Sequence, residues 1–472
     1  MSRKSDKNSH NSLLENVKIT DIAAEGKSIV KINNLVVFVN YAVPGDIVDI
    51  RVTKKRKNYL EGIVIQTLHE ADNAQQPFCE HFGECGGCKW QRLPYPEQLQ
   101  YKQKQVIDQL TRIGQIDSPD VAPTLASEKT LYYRNKLEYT FSNKRWVTKQ
   151  EVKNNTEISN TNALGFHIPE RFDKVLDINH CYLQSDPSNA IRLAIKDFAI
   201  KHNYDFFDLR EKSGFLRNLI IRTTTTNEIM IIVVFFYDDI EKRTALLDYL
   251  KNTFTEITSL QYVINNKLND SLSDQETIVY AGSPYITETM EGLKFRIGAK
   301  SFYQTNAEQT YRLYSIAREY AELAGNEIVY DLYTGTGTIA NFVARKAAKV
   351  IGIEYIKEAI DDACVNSKIN NINNTVFYSG DMKDILNEDF IKKNGQPDVI
   401  ILDPPRAGIH TDVAKVLLYA NAERIVYISC NPATQARDIA LLSSKYKFIK
   451  SQPVDMFPHT HHIENIILLK RI

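Results

Sequence analysis

Ile328-Val-Tyr-Asp-Leu-Tyr-Thr-Gly-Thr-Gly-Thr338 decides the fold. Its apolar first half reads as a buried strand, and the glycines allow a tight turn with close backbone approach. Ile339-Ala-Asn-Phe-Val-Ala-Arg345 then continues as a helix. A strand running into a glycine loop and a helix is the opening unit of a doubly wound α/β sheet. Working outward, Val350-Ile-Gly-Ile-Glu354, Thr375-Val-Phe-Tyr378, Pro397-Asp-Val-Ile-Ile-Leu402, Ile425-Val-Tyr-Ile-Ser429 and Ile466-Ile-Leu-Leu469 repeat the strand pattern. From about Phe295 onward these runs alternate with helical ones, which predicts a mostly parallel sheet.

The loop at Gly335 offers free N–H groups at a helix start, and Glu354 ends the next strand roughly twenty residues on, where a ribose diol would be hydrogen-bonded. Gly380-Asp381-Met382 follows the third strand and is placed to border an adenine. A dinucleotide site would show the full G-x-G-x-x-G, which is absent. S-adenosylmethionine (SAM), with a ribose and an adenine but no pyrophosphate, fits better.

Two further strand ends carry reactive groups. Asp403-Pro-Pro-Arg406 sets an acid and two prolines where open α/β sheets bind ligands. Arg406 stands where an aromatic would stack on a planar amine, which points away from N-methylation. Ser429-Cys430-Asn431-Pro432 ends a strand on a thiol. Carbon 5 of uracil is a poor nucleophile until a thiolate adds at carbon 6, and a base must later remove the C5 proton. Cys430 is the candidate nucleophile; Glu464 and His462, in Thr460-His-His-Ile-Glu-Asn465, are the candidate bases. Cys364 reads as helix packing.

The 472 residues imply two or three domains, and equal totals of 58 basic and 58 acidic residues leave only local patches to meet nucleic acid. No apolar run has the length of a membrane span, and Met1-Ser-Arg-Lys-Ser-Asp-Lys7 lacks a signal-peptide core, so a cytoplasmic protein is expected. Residues 1–12 read as a disordered tail. Residues 13–70 hold short β-rich runs, with a turn at Val43-Pro-Gly-Asp46, and predict a small OB-type barrel. Lys54-Lys-Arg-Lys57, beside Tyr59, is its candidate phosphate-contacting loop. A central α+β domain is expected over 71–290, opening with an amphipathic helix from Tyr95 to about Ile113, and the α/β domain over 291–472.

Cys79-Glu-His-Phe-Gly-Glu-Cys85-Gly-Gly-Cys88 brings three thiols together in a loop. That pattern suggests a soft-metal centre, with Cys181 as the remaining cysteine. Spacing leaves open an iron–sulfur cluster on all four thiols or tetrahedral zinc, perhaps with His81 or His180.

Taken in order, these motifs resemble the TrmA-like RNA 5-methyluridine methyltransferases of the RumA/RlmD type, across nearly the whole chain. The resemblance implies an N-terminal TRAM barrel, a central domain with a [4Fe–4S] cluster on Cys79, Cys85, Cys88 and Cys181, and a Rossmann-like SAM domain. Phe302-Tyr-Gln304-Thr-Asn306 implies that Gln304 contacts SAM, and Asp331 to Gly337 implies Tyr333 against it. By the same likeness Glu354 meets the ribose, Asp403 faces the SAM and uracil pocket, Cys430 is the nucleophile and Glu464 the base. Tyr133-Arg-Asn-Lys136 is implied to meet RNA, and Phe302 to flank an extruded uridine. Presence of both barrel and cluster favours 23S ribosomal RNA as substrate, with the same reaction on tRNA as the alternative. A non-catalytic RNA-binding or assembly factor is the rival from another class. No membrane or obligate protein partner is implied.

Overall fold

The computed structural model describes residues 12–158 and 160–472. The predicted tail, apart from Ser12, lies outside the described residues.

In the C-terminal part seven strands form one sheet. They are β1 (Ile328–Leu332), β2 (Lys349–Glu354), β3 (Thr375–Ser379), β4 (Val399–Leu402), β5 (Arg424–Ser429), β6 (Tyr446–Val454) and β7 (Glu464–Arg471). Their order is β3-β2-β1-β4-β5-β7-β6. The first five are parallel, whereas β7 runs antiparallel to both β5 and β6. The parallel strands are nearly continuous apolar runs because helices cover both faces. This reversal of β7 has a functional result: its first residue arrives at the edge where β1, β2, β4 and β5 end.

The barrel forms as expected. Its six strands, from Leu13–Lys18 to Tyr59–His69, enclose Val17, Ile19, Val37, Val48 and Ile50. The predicted turn closes through Asp46 N donating to Val43 O at 3.1 Å, with Gly45 at φ 101°. Lys54 to Lys57 lie at the tip of its longest hairpin, where Lys54 pairs with Glu61 at 3.0 Å.

A second seven-stranded sheet, from Lys136–Ser142 to Ile278–Gly282, makes the central domain. Two boundaries drawn from sequence shift. The cut at 290/291 falls inside the hairpin Tyr285–Met290/Leu293–Gly298, whose Ile286, Leu293 and Phe295 share one core with Ile220 and Val263 on one side and Val329 and Ile401 on the other. The helix Tyr95–Arg112, placed in the central domain, instead buries Val106 and Leu110 against the catalytic sheet's apolar layer. Val121 and Leu125 then bridge to β6 at Ser451 and Val454, extending that edge. Apolar periodicity locates a buried face but not the surface that buries it.

Candidate active site

The glycine loop is built as a cradle. Tyr333 (φ 67°), Gly335 (φ 54°) and Gly337 (φ 73°) carry the chain through left-handed backbone before the helix Thr338–Ala344. A bulky residue such as Tyr333 rarely adopts that conformation, and such strain gathers at functional sites. A Cβ on Gly337 would stand 2.8 Å from Ala363 Cβ, whereas one on Gly335 would meet nothing within 4 Å, so the loop is open on its ligand side. Glu354 ties this loop to the next: its carboxylate accepts from Gly335 N at 3.2 Å and Ile356 N at 3.0 Å. Gly380 N donates to Glu354 O at 2.9 Å, which brings Asp381 to the same rim as the cap of the short helix Met382–Ile385. Hydrogen bonds from Lys383, backbone first, hold the Asp381 carboxyl below its ordinary value.

Asp331, beneath the loop, accepts from Thr334 Oγ1 at 2.5 Å through one oxygen. Its other oxygen is buried without a partner among the described residues. Burial, offset by Thr334 and reinforced by Asp403, pushes this carboxyl up to about 7.

Cys430 leaves the end of β5, and Asn431 caps the helix Pro432–Leu442 that turns the chain away. Ser429 pairs with Asn465 in the β5–β7 ladder, so the next rung sets Cys430 opposite Glu464. Asp403, at the end of β4, is the third member of the group. Asn431 Nδ2 and Thr434 Oγ1 each donate to Arg406 O at 3.1 Å, which fixes the Pro-Pro loop against the thiol's helix. Burial first, then Glu464 and Asp403, raise the Cys430 thiol to about 11 against the opposing pull of Arg406. Burial and then Asp403 drive the Glu464 carboxyl well above its usual range, with Arg406 opposing. Asp403 itself rises to about 7 through burial.

His462 Nδ1 lies 3.0 Å from Arg406, and burial followed by that guanidinium depresses the imidazole to about 4. Phe302 is exposed, and the segment after it is tied to another: Asn135 Nδ2 donates to Gln304 O at 3.0 Å and Asn135 N to Thr305 O at 2.8 Å, docking Tyr133–Lys136 onto it. Arg406 is the neighbour that sequence reading missed as a partner of Cys430, because the contact joins two loops distant in the chain. Cys364, read as packing, is exposed. Its helix Lys357–Ile369 buries Ile360, Ala363, Asn366 and Ser367, which turns Cys364 to solvent.

The other four cysteines converge elsewhere. Cys79, Cys85, Cys88 and Cys181 line one cavity of about 390 Å³ with mainly apolar neighbours, among them Phe78 and Leu137. Burial raises all four thiols, Cys85 to about 12 and Cys88 to about 11. Among the described residues, no three His, Cys, Asp or Glu side chains lie close enough to hold a single metal ion. His81 Nε2 is taken by Asn179 N at 3.0 Å, and His180 Nε2 by Tyr132 OH at 3.2 Å.

A strand-end cradle of this form beside a thiol and paired acids defines a SAM-dependent methyltransferase. Comparison with known proteins gives the family. Residues 221–472 match the tRNA (uracil-5-)-methyltransferase family model and residues 15–65 the TRAM domain. The chain is 57% identical to an RNA methyltransferase of Bacteroides thetaiotaomicron, over 95% of this chain and all of that one. It is 55% identical to one of Porphyromonas gingivalis, over 96% and 99%. Its fold matches Pyrococcus abyssi tRNA (uracil-54, C5)-methyltransferase in complex with S-adenosyl-L-homocysteine, with a TM-score of 0.73, 26% identity, and coverage of 96% of this chain and 100% of that one. The chain belongs to the tRNA (uracil-5-)-methyltransferase family and is a SAM-dependent RNA methyltransferase. Among the described residues no helix is long and apolar enough to cross a membrane.

Proposed function

We propose that this enzyme methylates carbon 5 of a uridine in 23S ribosomal RNA through a covalent adduct on Cys430. The observation that carries the covalent chemistry is the antiparallel β5–β7 register, which sets a buried carboxyl opposite a strand-end thiol. The thiol loses its proton as uracil enters, with Asp403 as the neighbouring acceptor, and Glu464 acts as a carboxylate at the later step. Its sulfur bonds to carbon 6, and the electrons of the 5,6 double bond move to the carbonyl as an enolate. Carbon 5 then takes the methyl from the sulfonium, leaving S-adenosylhomocysteine. Glu464 removes the C5 proton, the double bond re-forms, and Cys430 departs as thiolate. A carboxyl raised by burial is a stronger base than one in water, as this proton demands. Gln304, Tyr333, Gly335, Glu354, Asp381 and Asp403 are the residues read as holding SAM.

Glu464→Gln tests the reading: it leaves attack and methyl transfer intact and blocks elimination, so a protein–RNA adduct accumulates. RNA carrying 5-fluorouridine should trap wild type through Cys430, and Cys430→Ala should give neither product nor adduct while still binding RNA. Absence of any adduct overturns the mechanism.

The tRNA reading has a specific observation behind it, since a structure named for uracil-54 of tRNA matches this chain from end to end. A barrel-bearing architecture is therefore no barrier to tRNA. Mapping 5-methyluridine in both RNAs from a strain lacking the protein decides between them.

Cys79, Cys85, Cys88 and Cys181 are read as ligands of a [4Fe–4S] cluster. Four thiols lining one mainly apolar cavity support this reading. When bound, its ferric and ferrous iron would stabilise the thiolates that burial disfavours. Cys88→Ser should lose iron and the visible charge-transfer absorption; retention of both rules the assignment out.

A further inference from the structure

Glu464 is the first residue of β7, so its position depends on the loop that delivers it, Asp455 to Ile463. That loop is held largely from outside the catalytic sheet. Lys102 Nζ donates to Phe457 O and Tyr133 OH to Pro458 O, each at 3.1 Å. His459 is gripped hardest. Lys89 N and Trp90 N, the first two residues after Cys88, donate to its carbonyl at 2.9 and 3.0 Å. Gln98 Oε1 accepts from His459 N at 2.8 Å, and Gln98 Nε2 lies 3.3 Å from His459 Nδ1. The same amide donates to Leu93 O at 2.8 Å and Trp90 O at 3.1 Å. One fully buried amide thus joins the segment after the cysteine loop to the loop before the base. His459 sits at φ 63°, a conformation that a non-glycine residue keeps only when its surroundings impose it. From there the chain runs through Thr460, whose hydroxyl donates to Phe457 O at 2.8 Å and accepts from His462 N at 3.2 Å, to Glu464.

We infer that Gln98 is a positioning residue for the general base: through His459 it sets where Glu464 enters the site. This rests on the reading of Glu464 under Proposed function. Gln98 touches neither thiol nor glycine cradle, so its loss should spare Cys430 attack and cofactor binding and impair only the step that needs Glu464. A merely structural role would lower all steps together.

The test measures adduct, kcat and KM on the full-length protein with an RNA substrate and SAM, with Glu464→Gln in parallel. Gln98→Met keeps the length and removes every hydrogen bond. It should accumulate protein–RNA adduct and lower kcat about 10²-fold, the cost of a misplacement near 1 Å. KM for RNA should fall with kcat, so that kcat/KM and the affinity for S-adenosylhomocysteine stay within about twofold. If Glu464→Gln fails to accumulate adduct, the reading of Glu464 is wrong. If it accumulates adduct and Gln98→Met does not, the positioning role is wrong. Should Gln98→Met fail to bind S-adenosylhomocysteine, a second pair decides. His459→Asn suits a left-handed backbone and should turn over without adduct, whereas the β-branched His459→Val should accumulate it. Equal behaviour of that pair overturns the inference.

Discussion

The resting state of Cys430 can be measured directly. With its thiol pushed up to about 11, the thiolate fraction at pH 8 is about 10⁻³, against about 0.24 for a peptide thiol near 8.5. That alone slows alkylation roughly 200-fold. A more basic thiolate is also more nucleophilic, with a Brønsted slope of about 0.4–0.5, which recovers roughly tenfold. The net expectation is alkylation of Cys430 by iodoacetamide about 20-fold slower than a free peptide thiol at pH 8, before any steric term. The pH dependence separates this from mere shielding. Between pH 8 and 10 the Cys430 rate should climb about tenfold per unit, while a free thiol levels off above about 8.5. Removing the always-charged Arg406, which lowers the thiol, should slow the reaction further. Peptide mapping by mass spectrometry over a pH series reads the rate at Cys430 alone. A rate already flat at pH 8 would mean a preformed thiolate, and the proposed need for proton transfer on substrate entry would be refuted.

Other consequences concern stability and binding. Lys102→Met strands the buried Asp455, which pairs with Lys102 at 2.5 Å and accepts from Tyr95 OH at 2.9 Å; loss of about 3–5 kcal/mol is expected, read as a lowered midpoint in urea. The double variant Lys102→Met/Asp455→Leu should recover part of it. Gly337→Ala puts a methyl 2.8 Å from Ala363 Cβ at φ 73°, so calorimetry should show weakened S-adenosylhomocysteine binding and destabilisation of about 1–3 kcal/mol. Burial depresses His459 and His462 to about 4 and His461 to about 3. Their unfolded forms, near 6.5, bind protons more readily, so stability should hold above pH 7 and fall as pH drops from about 6.5 toward 4. A thermal midpoint unchanged across that window would contradict the burial of this histidine cluster.

Much of the molecule was legible in its residues because the signals are local. A strand, a glycine loop and a helix follow one another at Ile328–Ala344, and an acid ends the next strand at Glu354, so the cradle needs no distant contact to be recognised. The barrel's short strands and its Val43–Asp46 turn are equally local. Sequence likewise marked Cys430, Glu464 and Asp403 as chemically capable, and showed four cysteines grouped by type. What it did not contain was who faces whom. That Glu464 stands opposite the thiol follows from strand direction: β7 reverses, and its pairing with β5 brings its first residue there, while His462, ahead of the strand, lies against Arg406. The helix at Tyr95–Arg112 showed its apolar stripe but not that the catalytic sheet receives it, since periodicity encodes a buried face without its partner. Gln98 had no signal at all. A lone glutamine on an amphipathic helix gains meaning only when folding sets His459, hundreds of residues away, within reach of its amide.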